Sequence, residues 1–334
     1  MQYVIDQTKS YSDLDTLRHD LSLMDVRETP VFRLDQMNLT VQGTVQVSGV
    51  GEYPLTEIAL KDALQRGGLH QSSCENFFQE HNEELDQAIV NAANAYYRRS
   101  RYAGKMVKLI TRLDENGVRI TLGIPSAKYS LLAHEHAVEK ILPHVSSSLK
   151  LSRCHVYPEF LEICFTDPIQ TTRDAVGKIV ELGLSFLNSQ GTRTRALFIS
   201  AFSLRLICSN GATAKDRVFS ARYPHKGSVV NGELGERISE ILQRFSGMMQ
   251  DLPRLGSMAV TDKFLTHIRP DLTDALGTKG SDEFIKEVDR GNETVMQFWN
   301  RITSLPHRIP NPTTKLKLEQ VGFKVLTAHL YPSY

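Results

Sequence analysis

The sequence predicts an α+β fold, with a central and mainly antiparallel sheet flanked by helices and a helical C-terminal region. Three observations predict it. Helix-period segments crowd both ends of the chain, strand-period segments fill its middle, and the βαβα alternation of a doubly wound sheet is absent. At 334 residues, with 41% hydrophobic content, the chain can bury a substantial core. It divides by pattern into a mainly helical region 1–104, a β-rich region 105–232 and a helical region 233–334, expected to pack as one unit.

In chain order, DLDTLRHDLSLMD reads as a short helix, and NLTVQGTVQV as a hairpin turning at Gln42-Gly43. From Pro54 to about Arg101 the pattern is helical. EELDQAIVNAANAYYRR follows Asn82, a good N-cap, opens on two glutamates, and places Leu85, Ile89, Ala92, Ala93 and Tyr96 on one face. KMVKLITRL and VRITLGI alternate with β-branched residues around Asp114-Glu115-Asn116-Gly117, the strongest hairpin signal in the chain. A helix near SLLAHEHAVEKIL and strands around RCHVY and FLEICFT come next. GKIVELGLSFLNSQ and RALFISAFSLRLICSNG then read as a long strand pair ending at the Asn210-Gly211 turn. Beyond Val230 helices return, with Leu234, Ile238, Ile241, Leu242, Phe245 and Met249 as an apolar stripe. The proline-rich PHRIPNPTT separates the last helix, KLKLEQVGFKVLTAHL, from those before it.

No apolar run reaches the roughly eighteen residues that a membrane helix needs. The first thirty residues are rich in charge where a signal peptide is apolar. The expected compartment is therefore the cytoplasm, without membrane contact. The four cysteines, Cys74, Cys154, Cys164 and Cys208, form no C-x-x-C pair and read as buried thiols in a reducing environment.

Net charge is only +1, so the distribution of charge carries the functional signal. Residues 95–112, AYYRRSRYAGKMVKLITR, hold Arg98, Arg99, Arg101, Lys105, Lys108 and Arg112 with Tyr96, Tyr97 and Tyr102 between them, and no acid lies between Asp86 and Asp114. Cations release counterions when they meet phosphates, and aromatic faces stack on unpaired bases. The plainer alternative is that the arginines complement the preceding helix dipole and the tyrosines belong to the core. Between Leu182 and Gly232, Arg193, Arg195, Arg205, Lys215, Arg217, Arg222 and Lys226 face the single acid Asp216, a local charge of +6. The alternative for Arg193 and Arg195 is the solvated side of a strand.

Within this second segment, Asn188-Ser189, the run Arg205 to Gly211 (RLICSNG) and Pro224-His225-Lys226-Gly227 resemble the hallmark of a phage- and plasmid-borne family known as domain of unknown function 932. About forty residues carry the resemblance. Some relatives have a longer Asn-Ser-His-Asp-Gly turn, where this chain has Asn188-Ser189-Gln190-Gly191 and so no acid. The family has no established activity, and the resemblance implies a mobile-element context: strand annealing, recombination or evasion of host defence. The motif suits phosphate contact. Asn210-Gly211 can turn backbone N–H groups outward, Gly227 permits close approach, and Arg205, His225 and Lys226 add charge. The alternative is structural, with Cys208 inside and Asn-Gly closing a hairpin.

Signals for covalent or metal chemistry are weak. Cys208 sits among apolar neighbours with no partner histidine in view. His134-Glu135-His136 is an i, i+2 pair whose imidazoles diverge on a helix. There is no P-loop, no G-x-S-x-G and no recognisable carboxylate pair. The sequence thus leads to a reading with no catalytic residue, metal or cofactor: an ATP-independent binder of nucleic acid, single-stranded DNA favoured, that acts in annealing or protection as a homo-oligomer. Its contacts are Arg98, Arg99, Arg101, Lys105, Arg193, Arg195, Arg205 and Lys226 for phosphates and Tyr97 and Tyr102 for stacking. The motif residues Asn188, Ser189, Asn210, Gly211 and His225 lie alongside. Two other classes stand beside it: a protein-binding inhibitor of a host defence complex, and a nucleic-acid-processing enzyme using His225, Lys226, Asn210 and Cys208.

Overall fold

The computed structural model describes residues 8–69, 82–157, 160–173, 179–190, 196–205, 212–225, 234–250, 252–305, 309 and 311–330. The fold is α+β, and two hydrophobic cores organise it. The first spans Phe32 to Ile124. Strands β2 (Arg27–Glu28), β3 (Phe32–Arg33), β4 (Met37–Leu39), β5 (Thr44–Val47) and β6 (Gly51–Pro54) lead into helices α2 (Glu57–Arg66) and α3 (Glu83–Tyr97), the one-turn α4 (Ser100–Ala103), and strands β7 (Met106–Val107), β8 (Ile110–Leu113) and β9 (Arg119–Gly123). These strands form three small sheets, β4-β5-β6, β2-β8-β9 and β3-β7. The β8–β9 turn closes as its sequence predicts: the Asp114 carboxylate accepts from Asn116 and Val118 N–H at 2.9 and 2.8 Å, and Gly117 takes φ +74°.

The second core lies on a six-stranded antiparallel sheet, order β1-β10-β11-β12-β13-β14. It is built from β1 (Lys9–Ser10), β10 (Lys150–Val156), β11 (Leu161–Arg173), β12 (Ile179–Asn188), β13 (Ala196–Arg205) and β14 (Ala212–Pro224). Its apolar residues Ile163, Phe186, Leu197 and Ile199 pack in one cluster with α1 (Leu14–Leu23), α5 (His134–Ile141), α6 (Leu234–Gln250), α7 (Asp262–Lys286), α8 (Val295–Ser304) and α9 (Pro312–Leu330). The long strand pair read from the sequence is β12 with β13. The Asn210-Gly211 turn beyond it lies outside the described residues. Core membership cuts across the composition-based boundaries. Val107 of β7 and the flanking Leu109 and Ile124 belong to the first core and not to the central region, and Ile110 of β8 and Leu122 of β9 form a small third cluster with Tyr129. The chain start joins the second core, through β1 beside β10 and through Leu17 and Leu21 of α1.

A buried ion cluster fixes α9 to the sheet. Arg153 on β10 donates from Nη2 to Glu162 of β11 at 3.2 Å and to Glu319 of α9 at 3.4 Å. Two carboxylates buried beside one guanidinium make this a specific docking contact. The described thiols Cys154 and Cys164 are buried and free, and burial pushes the Cys154 thiol up to about 12.

One glycine in the sheet has a steric reason. Gly183 on β12 faces Phe202 on β13, and a Cβ there would lie 2.4 Å from the Phe202 ring and 2.7 Å from the Phe165 carbonyl. Gly183→Ala is expected to destabilise the protein by roughly 1–3 kcal/mol through overpacking. A urea-denaturation midpoint unchanged from the parent protein would refute this.

Candidate nucleic-acid interface

Helix α3 ends where its buried face ends. Ile89, Ala93 and Tyr97 recur every four residues on that face, and Tyr97 is fully buried, donating its hydroxyl to the Ala63 carbonyl of α2 at 2.7 Å. Asn82 caps the other end, accepting from the N–H groups of Glu84 and Leu85. Past Tyr97 the chain turns through α4 and Gly104. The backbone of Lys105 is then held to the N-terminal strands, its carbonyl accepting from Leu34 N–H at 2.8 Å.

This turn exposes Arg98, Arg99, Arg101 and Lys105. Tyr96 and Tyr102 stack between them, ring centroids 4.6 Å apart at 24°. The guanidinium of Arg99 lies 5.9 Å from the Tyr96 centroid. Arg101 lies 5.6 Å and the Lys105 ammonium 4.3 Å from that of Tyr102. Arg98 donates to the Asn38 side chain at 3.2 Å. No carboxylate among the described residues forms an ion pair with any of the four cations. The two phenols shift each other in opposite senses, Tyr102 raising the Tyr96 hydroxyl and Tyr96 lowering that of Tyr102, with Arg101 and Lys105 adding to the latter. The other two bases of the segment are used internally. Lys108 is buried and paired with Glu28 at 2.6 Å, and Arg112 is half-buried.

Beyond Met106 the surface continues. Ala127 N–H donates to the Met106 carbonyl, which sets the exposed Lys128 beside this strand. Lys128 lines an open groove with Arg27, Glu28, Lys108 and Tyr129.

The groove residue Tyr129 leads to the second constellation. The sheet brings Asn188 at the end of β12 and His225 just past β14 to one edge, since Asn188 pairs with Leu197 and Ala196 with Pro224. Asn188 Nδ2 reaches the Leu132 carbonyl at 2.9 Å, which only accepts, so the amide oxygen faces His225 Nε2 at 3.1 Å. His225 therefore donates from Nε2 and accepts at Nδ1 from the Tyr129 hydroxyl at 2.7 Å. The second amide proton of Asn188 goes to His134 Nδ1 at 3.0 Å. Both imidazoles are neutral in this arrangement, and burial accounts for it first. His134 is pushed down to about 3, with His225 and Arg112 adding, and His225 to about 4, with Arg222 adding.

No family model, curated protein or solved structure matches this chain. No match confirms or refutes the resemblance read at Asn188-Ser189, Arg205 to Gly211 and Pro224 to Gly227.

The structure thus brings together Arg98, Arg99, Arg101, Lys105 and Tyr102 on one surface, and corrects two expectations. Tyr97 is core, so the partner of Tyr102 is its neighbour Tyr96; the four-residue spacing of Ile89, Ala93 and Tyr97 was the signal for it. His225 adds no charge for phosphate, being 1% exposed and hydrogen-bonded on both ring nitrogens. Asn188 and Ser189 are equally buried. Arg205 closes β13, while Arg193, Arg195, Asn210, Gly211 and Lys226 lie outside the described residues. Lys128 carried no sequence signal, because only the fold sets it beside residues 105–106. His134 and His136 diverge as their spacing predicts, one buried and one exposed, and among the described residues no group of three metal-binding side chains converges.

The neutral histidines give a pH dependence. An unfolded histidine binds its proton near pH 6.5, whereas the folded chain accepts one at His225 only near 4 and at His134 near 3. Between those values acid favours the unfolded chain, so stability is full above about pH 6.5 and falls progressively towards pH 4. Denaturation midpoints measured from pH 7.5 to 4 should decline. A decline equal to the parent's in a His134→Gln, His225→Gln variant would show that other groups cause it.

Proposed function

We propose that this chain is an ATP-independent nucleic-acid-binding protein that holds single strands through the surface around Arg98, Arg99, Arg101 and Lys105. One observation carries the proposal: four exposed cations surround a tyrosine pair without a carboxylate partner among the described residues. Exposed cations on a folded surface are ordinarily interspersed with acids. A cluster without them favours a polyanion, and bound phosphates release counterions. The family resemblance of residues 188–227 supports a mobile-element setting, with annealing or strand protection in the cytoplasm as the task. Annealing places many copies along one strand, which supports a homo-oligomer. Among the described residues no helix is long and apolar enough to cross a membrane.

The test is fluorescence anisotropy of labelled single-stranded and duplex oligonucleotides across a salt series without nucleotide cofactor. Four single-strand phosphate contacts give a slope of about −3 in log K against log salt. Absence of binding to DNA and RNA alike at low salt would end the proposal.

A further inference from the structure

The geometry points to a site that grips the sugar–phosphate backbone and leaves the bases unread, its tyrosines serving to hold cations and not to stack on bases. This rests on the proposed single-strand function and specifies the part of the ligand that is recognised. A stacking platform for single strands presents an aromatic face to solvent. Here the π-surfaces are already engaged. Tyr96 and Tyr102 stack on each other, and the Lys105 ammonium lies 4.3 Å from the Tyr102 centroid. Gly68, at φ +78°, packs so close to the Tyr96 ring that a Cβ there would lie 2.7 Å from its Cε2. Tyr97, the remaining ring, is in the core. A base entering this site would have to displace a stacked ring or an ammonium group.

What stays outward is charge. Arg99, Arg101 and Lys105 rest against tyrosine faces, an arrangement that holds a long flexible cation near one position while its N–H groups remain available to an anion. Arg98 is steadied separately by Asn38. The tyrosines are positioning residues: they reduce the ordering that each cation undergoes when it meets a phosphate.

The experiment compares the full chain's affinity for oligo-dT with that for an equally long abasic oligonucleotide, with inorganic polyphosphate as competitor. The expected result is that the two affinities agree within about threefold and that polyphosphate displaces both, because a base stacked on an aromatic contributes roughly 5- to 150-fold. Tyr102→Leu is expected to weaken both ligands by the same factor, whereas loss of a stacking platform would weaken oligo-dT alone. That ratio does not depend on the folded fraction of the variant. An abasic strand bound about fivefold or more weaker than oligo-dT would overturn the inference and leave the single-strand function standing. Binding of none of these ligands would remove both.

Discussion

Asn188→Ala is expected to lower the stability of the protein by about 3–5 kcal/mol, since removing one buried amide orphans three groups, each at roughly 1–3 kcal/mol. The groups are His225 Nε2–H, the Leu132 carbonyl and His134 Nδ1, all within 3.1 Å of the amide. Asn188 is 1% exposed, so water does not replace the lost partners without repacking. The amide also sets the tautomer of His225, and through it the bond from the Tyr129 hydroxyl. Loss of Asn188 therefore reaches the segment Tyr129–His134, which joins the two cores. Urea denaturation followed by circular dichroism measures the effect. The variant decides between the two readings that the motif leaves open. A large loss of stability, with oligonucleotide affinity retained by the folded fraction, identifies a structural clamp. A normal midpoint with affinity lost would identify a ligand-contacting amide and refute the clamp.

The parts of the fold that were legible in the sequence are those with local causes. The β8–β9 hairpin is encoded by alternation and by one Asx turn with glycine, and α3 by its cap and its period. Strand β14 was not legible. The sequence ATAKDRVFSARYP alternates imperfectly, and its register against β13 shifts between Ser200 and Phe202, which breaks the two-residue period on which such reading depends. Two-residue strands such as β1 and β2 carry no period at all; tertiary contact alone creates them. The same division holds for the candidate site. Arg98 to Lys105 lie together because they are adjacent in sequence, so the cluster was legible, while the roles of Tyr96 and Tyr97 depended on one step of helix phase. Asn188 and His225 are 37 residues apart and meet only because β12, β13 and β14 bring their ends to one sheet edge. Polar type and spacing could mark them as notable, but only burial decides that they bond to each other and not to a ligand.

Changing Arg98, Arg99 and Arg101 together to alanine is expected to weaken single-strand binding by about 100-fold at 0.1 M salt. On single strands each lost phosphate contact reduces the slope of log K against log salt by about 0.7, so three reduce it by about 2. Extrapolated from 1 M salt, where counterion release no longer favours binding, that slope difference is two decades of affinity at 0.1 M. Stability should hardly change, because all three side chains are exposed and none forms an ion pair with a described carboxylate. The lost affinity can then be separated from unfolding by comparing denaturation midpoints. The slope is the deciding quantity. A variant that binds more weakly at every salt concentration with an unchanged slope would mean that the arginines support the shape of the surface and do not meet phosphates. The contacts would then have to be sought in the second basic segment, around Arg205 and Arg222. A variant with both affinity and slope unchanged would remove this surface as the nucleic-acid interface.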